Sequence, residues 1–111
     1  MKGEIYLADL NPTVGSEIAK TRPVLIVSND INNQYAATVT IVPITSTTEK
    51  IYPFEVFLPK GEANLTNDSK AKANQIRTTD KLRLKRLLGK INEEILKEIE
   101  KAILIHLEIE I

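Results

Sequence analysis

The chain contains no cysteine and a single histidine, His106. The first absence removes disulfides and thiolate metal sites. The second removes paired-histidine acid–base catalysis and multi-histidine metal centres within one chain. The four glycines are dispersed, so there is no glycine-rich phosphate loop. No group of carboxylates has metal-ligand spacing, and neither a metal nor another cofactor is expected. Aromatic residues make up only 5% of the chain (Tyr6, Tyr35, Tyr52, Phe54, Phe57). A groove for proline-rich peptides needs aromatics in a cluster, and several of these five are expected in the core. Charge of one sign does not dominate: fifteen basic residues balance fifteen acidic ones. That argues against a protein that coats nucleic acid by bulk electrostatics and leaves room for a local basic groove. No window approaches the ~20 apolar residues of a membrane span. Met1–Tyr6 enters strand-like alternation with no apolar secretory segment. A cytoplasmic, reducing location without membrane contact is expected.

What remains is an ordinary globular composition, 42% hydrophobic and 27% charged, on a length that suits one domain spanning residues 1–111. Gly3–Leu10 alternates as a strand, with Ile5, Leu7 and Asp9 on one side and Tyr6, Ala8 and Leu10 on the other. Asn11-Pro12 breaks it and opens a loop to Thr21, long enough to carry function. Pro23–Val27 is a continuous apolar run, the pattern of a buried strand. Asn29-Asp30 turns the chain into a β-branched strand, Ala37–Pro43. Thr45–Lys50 reads as a polar loop, Pro53–Leu58 as a strand and Lys60–Lys72 as a further loop. Strands are expected around Gln75–Arg77 and from Leu87 to Ile91, with a helical turn near Thr79–Leu84 between them. Asn92 caps a helix whose first turn holds Glu93 and Glu94 and whose apolar stripe is Ile95, Ile99, Ala102 and Ile103. Residues 105–111 fit either strand or helix. The sum is mostly β with a C-terminal α-helix, a small and partly closed barrel. The helix is more apolar than solvent exposure requires, which points to packing on the sheet and against a second subunit.

One stretch stands out: Gly15-Ser16-Glu17, then Thr21-Arg22-Pro23 and the apolar run after it. A polar loop delivers an acid and an arginine to the mouth of a buried strand. Arg22 has a backbone direction constrained by the following proline and a guanidinium that grips phosphate in a fork. Position alone equally allows a salt bridge to Glu17 or Asp9. Glu17 is either a general base or a solvated loop acid, and Ser16 either a phosphate donor or a turn residue. The hydroxyls of Thr45 and Ser46 close a strand, where they can donate to phosphate or simply serve loop polarity. Gln75, Arg77 and Thr78 suit contacts to bases and backbone of nucleic acid, or a solvated strand edge. His106 is a packing residue.

Together these fragments resemble the MazF/PemK family of toxin endoribonucleases from type II toxin–antitoxin modules. The resemblance runs in register from Lys2-Gly3-Glu4-Ile5-Tyr6 through Asp9-Leu10-Asn11-Pro12, Gly15-Ser16-Glu17 and Arg22-Pro23-Val24-Leu25-Ile26-Val27. It continues through Pro43-Ile44-Thr45-Ser46, Tyr52-Pro53-Phe54-Glu55-Val56, Gln75-Ile76-Arg77-Thr78 and Leu88-Gly89-Lys90-Ile91. It implies an SH3-like small barrel with a C-terminal helix, working as a homodimer. It implies sequence-specific, metal-independent cleavage of single-stranded RNA, which stops translation, and an antitoxin whose tail occupies the RNA groove. Residue by residue, Arg22 matches the catalytic arginine and Thr45 the catalytic threonine, with Ser46 second. Glu17 matches an acid that some members use in proton transfer. Ser16, Thr21, Ser46, Gln75, Arg77 and Thr78 fall where RNA contacts are expected. Asn74 departs from relatives that carry an acid there, which bears on base preference.

The chemistry implied is attack of a ribose 2′-hydroxyl on the adjacent phosphorus, leaving a 2′,3′-cyclic phosphate and a 5′-hydroxyl. A binding protein of the CcdB-like, gyrase-poisoning kind shares the fold and is the alternative. The Gly15–Arg22 segment and the Thr45 loop favour the nuclease.

Overall fold

The computed structural model describes residues 1–11, 14–16 and 20–110. Along the chain come β1 (Glu4–Asp9), β2 (Thr21–Ile26), α1 (Asp30–Tyr35), β3 (Thr38–Thr45), β4 (Glu55–Leu58), β5 (Ser69–Lys72), β6 (Arg77–Asp80), β7 (Leu84–Lys90) and α2 (Glu93–Leu107). Single 3-10 turns occupy Glu62–Asn64, Ala73–Gln75 and Lys81–Arg83. Every strand pairing is antiparallel, and the order is β4-β5-β3-β2-β1-β7 with β6 branching from β3.

Period-two alternation explains how one sheet carries two cores. On one face Ile5, Leu25, Val42 and Ile44 pack with Val56, Leu58 and the helix residues Leu96, Ile99 and Ala102. On the other, Ala8, Leu10, Val24, Ile26, Val39 and Ile41 form a second cluster bounded by Tyr6 and Leu84. Both faces of β1 are thus apolar in the alternation expected from the sequence.

The expectation of an SH3-like closed barrel is corrected: the sheet is open. Its outer strands, β4 and β7, share no ladder. Two local features account for this. The first is Pro43, inside β3. The Thr40 carbonyl accepts from Val27 N–H on the β2 side at 3.0 Å, so alternation turns Pro43 toward the outer edge. There its missing N–H falls between the last β6 pair, Ile41 with Arg77, and the first β5 pair, Ile44 with Ala71. The outer edge of β3 is therefore divided between two short strands. The second feature is the turn Glu62–Asn64, which takes the place beside β7 that a closing strand would need. Asn64 Nδ2 donates to Leu88 O at 2.7 Å, and the Glu62 carboxylate accepts from Asn92 N–H at 3.0 Å.

Three further differences have plain causes. Asn29 does not merely turn the chain. Its side chain accepts from Asn32 N–H at 2.9 Å and caps α1, a helix with no buried residue and hence no apolar stripe to read. Strand β5 lies in the segment read as a loop because Ser-Lys-Ala-Lys looks polar, yet Ser69 and Lys70 are buried with polar partners. Ser69 Oγ donates to Asn67 O, and Lys70 Nζ to Glu55 and to Lys50 O. Gln75 sits in a 3-10 turn, so the strand expected around it starts two residues later. The tail resolves as helix to Leu107, ended by Glu108 in the left-handed region with φ 55°. Among the described residues no helix is long and apolar enough to cross a membrane.

Gly89 in β7 lets the Glu62–Asn64 turn approach. A Cβ there would stand 3.0 Å from the Ala63 carbonyl carbon and oxygen. Gly89→Ala should destabilise the fold by about 1–3 kcal/mol, the usual cost of overpacking, read as a lower urea midpoint. An unchanged midpoint would show that the turn does not brace β7.

Candidate nucleic-acid interface

Arg22 is the second residue of β2, directly opposite Ala8 of β1. The β2–β3 ladder pairs Ile26 with Ile41, Leu25 with Val42 and Val24 with Pro43. The same offset carried two residues further sets Arg22 opposite Thr45, and the pleat then gives their side chains one face. Apolar strands thus hold a cation and a hydroxyl side by side at the sheet's end. Thr45 Oγ1 accepts from Thr47 N–H at 3.4 Å. With that lone pair engaged, its own hydrogen is left to be donated outward.

Thr21, Arg22, Thr45 and Ser46 line one cleft of about 240 Å³. Its second wall is the turn before β5, with Thr66, Asn67 and Ser69. Leu7, Pro23, Ile44 and Leu65 border it with apolar surface. This second wall was missed because the segment was read as a loop. The usable signal was Leu65, an apolar residue among polar ones that proves to be buried. A larger cavity of about 730 Å³ lies elsewhere, between α2 and the chain near Lys2, Ser28 and Thr40. It contains none of the expected site residues, so convergent chemistry, and not size, identifies the site.

The remaining expected RNA contacts do not join this cleft. Gln75 Nε2 donates to Ser16 O at 3.4 Å, and Arg77 Nη2 donates to Leu10 O at 3.4 Å. Arg83, not singled out from the sequence, donates to Asp9 O at 3.1 Å and also to Asn11 O. Three side chains from the β6 region therefore hold the β1–β2 connection by its carbonyls. Thr78 is exposed opposite Thr40, on the other face from Arg77. Glu17 lies outside the described residues.

A buried ionic group steadies the loop that begins at Thr45. Lys70 pairs with Thr45 in the β3–β5 ladder. Its Nζ donates to Lys50 O at 2.8 Å and to Glu55 Oε1 at 3.0 Å. Glu55 also accepts from Tyr52 N–H at 2.9 Å and faces Lys72 Nζ at 3.7 Å. Lys50 and Lys70 both lie over the Tyr52 ring, at 4.8 and 5.9 Å. Burial pushes the Glu55 carboxyl up, but the Tyr52 N–H and the two lysines outweigh it, and the net direction is down from 4.5.

The chain matches the family model described as "PemK-like, MazF-like toxin of type II toxin-antitoxin system" over residues 1–107. It is 39% identical to endoribonuclease MazF9 of Mycobacterium tuberculosis over 113 residues, covering 97% of this chain and 96% of that protein. Its fold is similar to MazF from Deinococcus radiodurans, with a TM-score of 0.84 and 26% identity over 96% of this chain and 94% of the other. It is similar at 0.82 and 26% identity to a mycobacterial endoribonuclease solved in complex with its cognate antitoxin, covering 100% of this chain and 97% of that one.

The lowered Glu55 carboxyl has a defined pH consequence. Its contribution to stability is present above 4.5, its ordinary value, and disappears as pH falls through the lower folded value. Glu55→Gln should flatten that acid limb. At neutral pH it should destabilise the protein by about 3–5 kcal/mol by leaving Lys70 unpaired. Urea midpoints across pH 2–7 (roughly the span in which carboxylates titrate) test this. A variant with an unchanged acid limb would remove Glu55 from the account.

Proposed function

This chain belongs to the PemK-like, MazF-like toxins of type II toxin–antitoxin systems, and on that premise we propose that it is a sequence-specific endoribonuclease. It cuts single-stranded RNA and thereby stops translation, and a cognate antitoxin neutralises it. The observation that carries this reading is the adjacency of Arg22 and Thr45 at the end of the β2–β3 ladder, in a cleft open to solvent. Relatives similar over nearly the whole chain are endoribonucleases.

The reaction needs no external nucleophile. The 2′-oxygen bonds to the neighbouring phosphorus, the bond from phosphorus to the 5′-oxygen breaks, and the 2′-proton leaves as the 5′-oxygen gains one. No metal is required to generate the attacking group. Arg22 stabilises charge gathering on the non-bridging oxygens, and Thr45 Oγ1 donates to the same phosphate. Glu17 is the proposed general base. Thr21 and Ser46 hold the flanking backbone within the cleft. Ser16 and Gln75 act together at the β1–β2 connection, and Arg77 acts by holding that connection. Thr78 contacts RNA only beyond the cleft.

The protein works in the cytoplasm as a homodimer. Ile105, Leu107 and Ile109 at the end of α2 are each about half exposed, which supplies apolar surface for a second copy. The antitoxin tail occupies the same groove as RNA. Sedimentation equilibrium should report twice the 12.4 kDa chain mass, and Ile105→Glu should shift it toward one. A wild-type monomer would contradict the dimer.

Purified protein incubated with single-stranded RNA in EDTA should cut at discrete sites. Arg22→Ala and Thr45→Val should each lower kcat by about 10²-fold or more, with unfolding midpoints unchanged. Inert RNA combined with gyrase-dependent DNA damage would instead support a gyrase poison. Full activity in Arg22→Ala would remove that residue from the chemistry.

A further inference from the structure

We infer that Asn67, in the second wall of the cleft, reads one base of the RNA and that the base is adenine. This rests on the proposed nuclease reading and adds a residue that sets its sequence preference. Asn67 lines the same cleft as Arg22 and Thr45, from the turn between β4 and β5. The cleft is narrow, with room for a single strand and not for a duplex.

The turn is held like a fixed bracket. Leu65 is its buried anchor, and Gly61 N–H donates to Leu65 O at 2.8 Å. Lys60 N–H donates to the Asp68 carboxylate at 2.9 Å, and Ser69 Oγ to Asn67 O at 2.9 Å. Gly61, Ala63 and Asn64 all have positive φ, which sets the direction of the chain entering the tip. Backbone so constrained presents the Thr66 and Asn67 side chains, both exposed, with little left to order when a ligand arrives. Asn67 Nδ2 spends one hydrogen on Thr66 Oγ1 at 3.3 Å. Among the described residues its Oδ1 has no donor, and its second amide hydrogen has no acceptor. A free acceptor beside a free donor complements the N6 amino group and adjacent ring nitrogen of adenine. The unpaired bases of a single strand can turn these edges outward. A strand whose phosphate lies against Arg22 and Thr45 brings a neighbouring base within reach of the opposite wall.

The test compares wild type, Asn67→Ala and Asn67→Asp by sequencing the 5′ ends of fragments cut from a randomised single-stranded RNA pool. Wild type should show adenine at one position near the cut. Asn67→Ala should lose that preference by about 10–100-fold in relative rate while preferences at other positions stay. Asn67→Asp, which can only accept, should shift the same position toward cytosine. Cutting by wild type with an identical motif in both variants would overturn the assignment and leave the nuclease reading intact. So would a relaxed position whose wild-type base is not adenine. RNA left uncut by wild type would overturn the nuclease reading, and this inference with it.

Discussion

The ladder between β2 and β3 is the constraint on which the rest of the molecule depends. Its three pairs lie wholly in buried, apolar backbone, where an unpaired amide would cost about 1–3 kcal/mol. The register is therefore firmly set. A slip of one residue would turn Leu25 and Val42 away from α2 and bring Val24 and Ile41 under it, exchanging both cores at once. The same register brings Arg22 and Thr45 abreast at the solvent end. The functional pair is thus positioned by core packing, and no bond between the two residues is needed.

The open sheet follows from the other side of β3. Pro43 offers no hydrogen on that edge, so β6 and β5 share it with a gap between them. The gap serves the site: β5 pairs beside Thr45, and the turn leading into it becomes the second wall of the cleft. The ionic group around Glu55 and Lys70 then ties the loop beyond Thr45 back to this hairpin. Burying charge is seldom a strong source of stability. Here it gives a short polar strand a defined place and anchors Lys50 O near the reactive end.

Much of this was legible in the residues. The apolar alternation of β1 and β3, the continuous run of β2 and the Asn92 cap of α2 all report burial or capping directly. Arg22 and Thr45 were legible as site residues because each punctuates the end of an apolar strand. What was hidden depended on partners distant in sequence. Ser69 and Lys70 read as loop residues because their acceptors, Asn67 O and Glu55, become visible only in the fold. Closure of the barrel could not be judged from strand count, because it turned on the outward direction of one proline N–H position and on a 3-10 turn braced against Gly89. Gln75 and Arg77 were chosen for their chemistry, yet they spend printed hydrogen bonds on Ser16 O and Leu10 O. Residue type shows what a side chain is able to do, and packing decides which partner it meets.

The central claim is that RNA itself supplies the nucleophile to a site that contributes only charge and hydrogen bonds. The most direct measurement uses one good RNA substrate and its twin carrying a single 2′-deoxy nucleotide immediately 5′ of the cut, with fragment ends identified by mass spectrometry. The account predicts a 2′,3′-cyclic phosphate and a 5′-hydroxyl from the first and no cleavage of the second. Cleavage of the deoxy-substituted twin at the same bond, with a 5′-phosphate product, would contradict it.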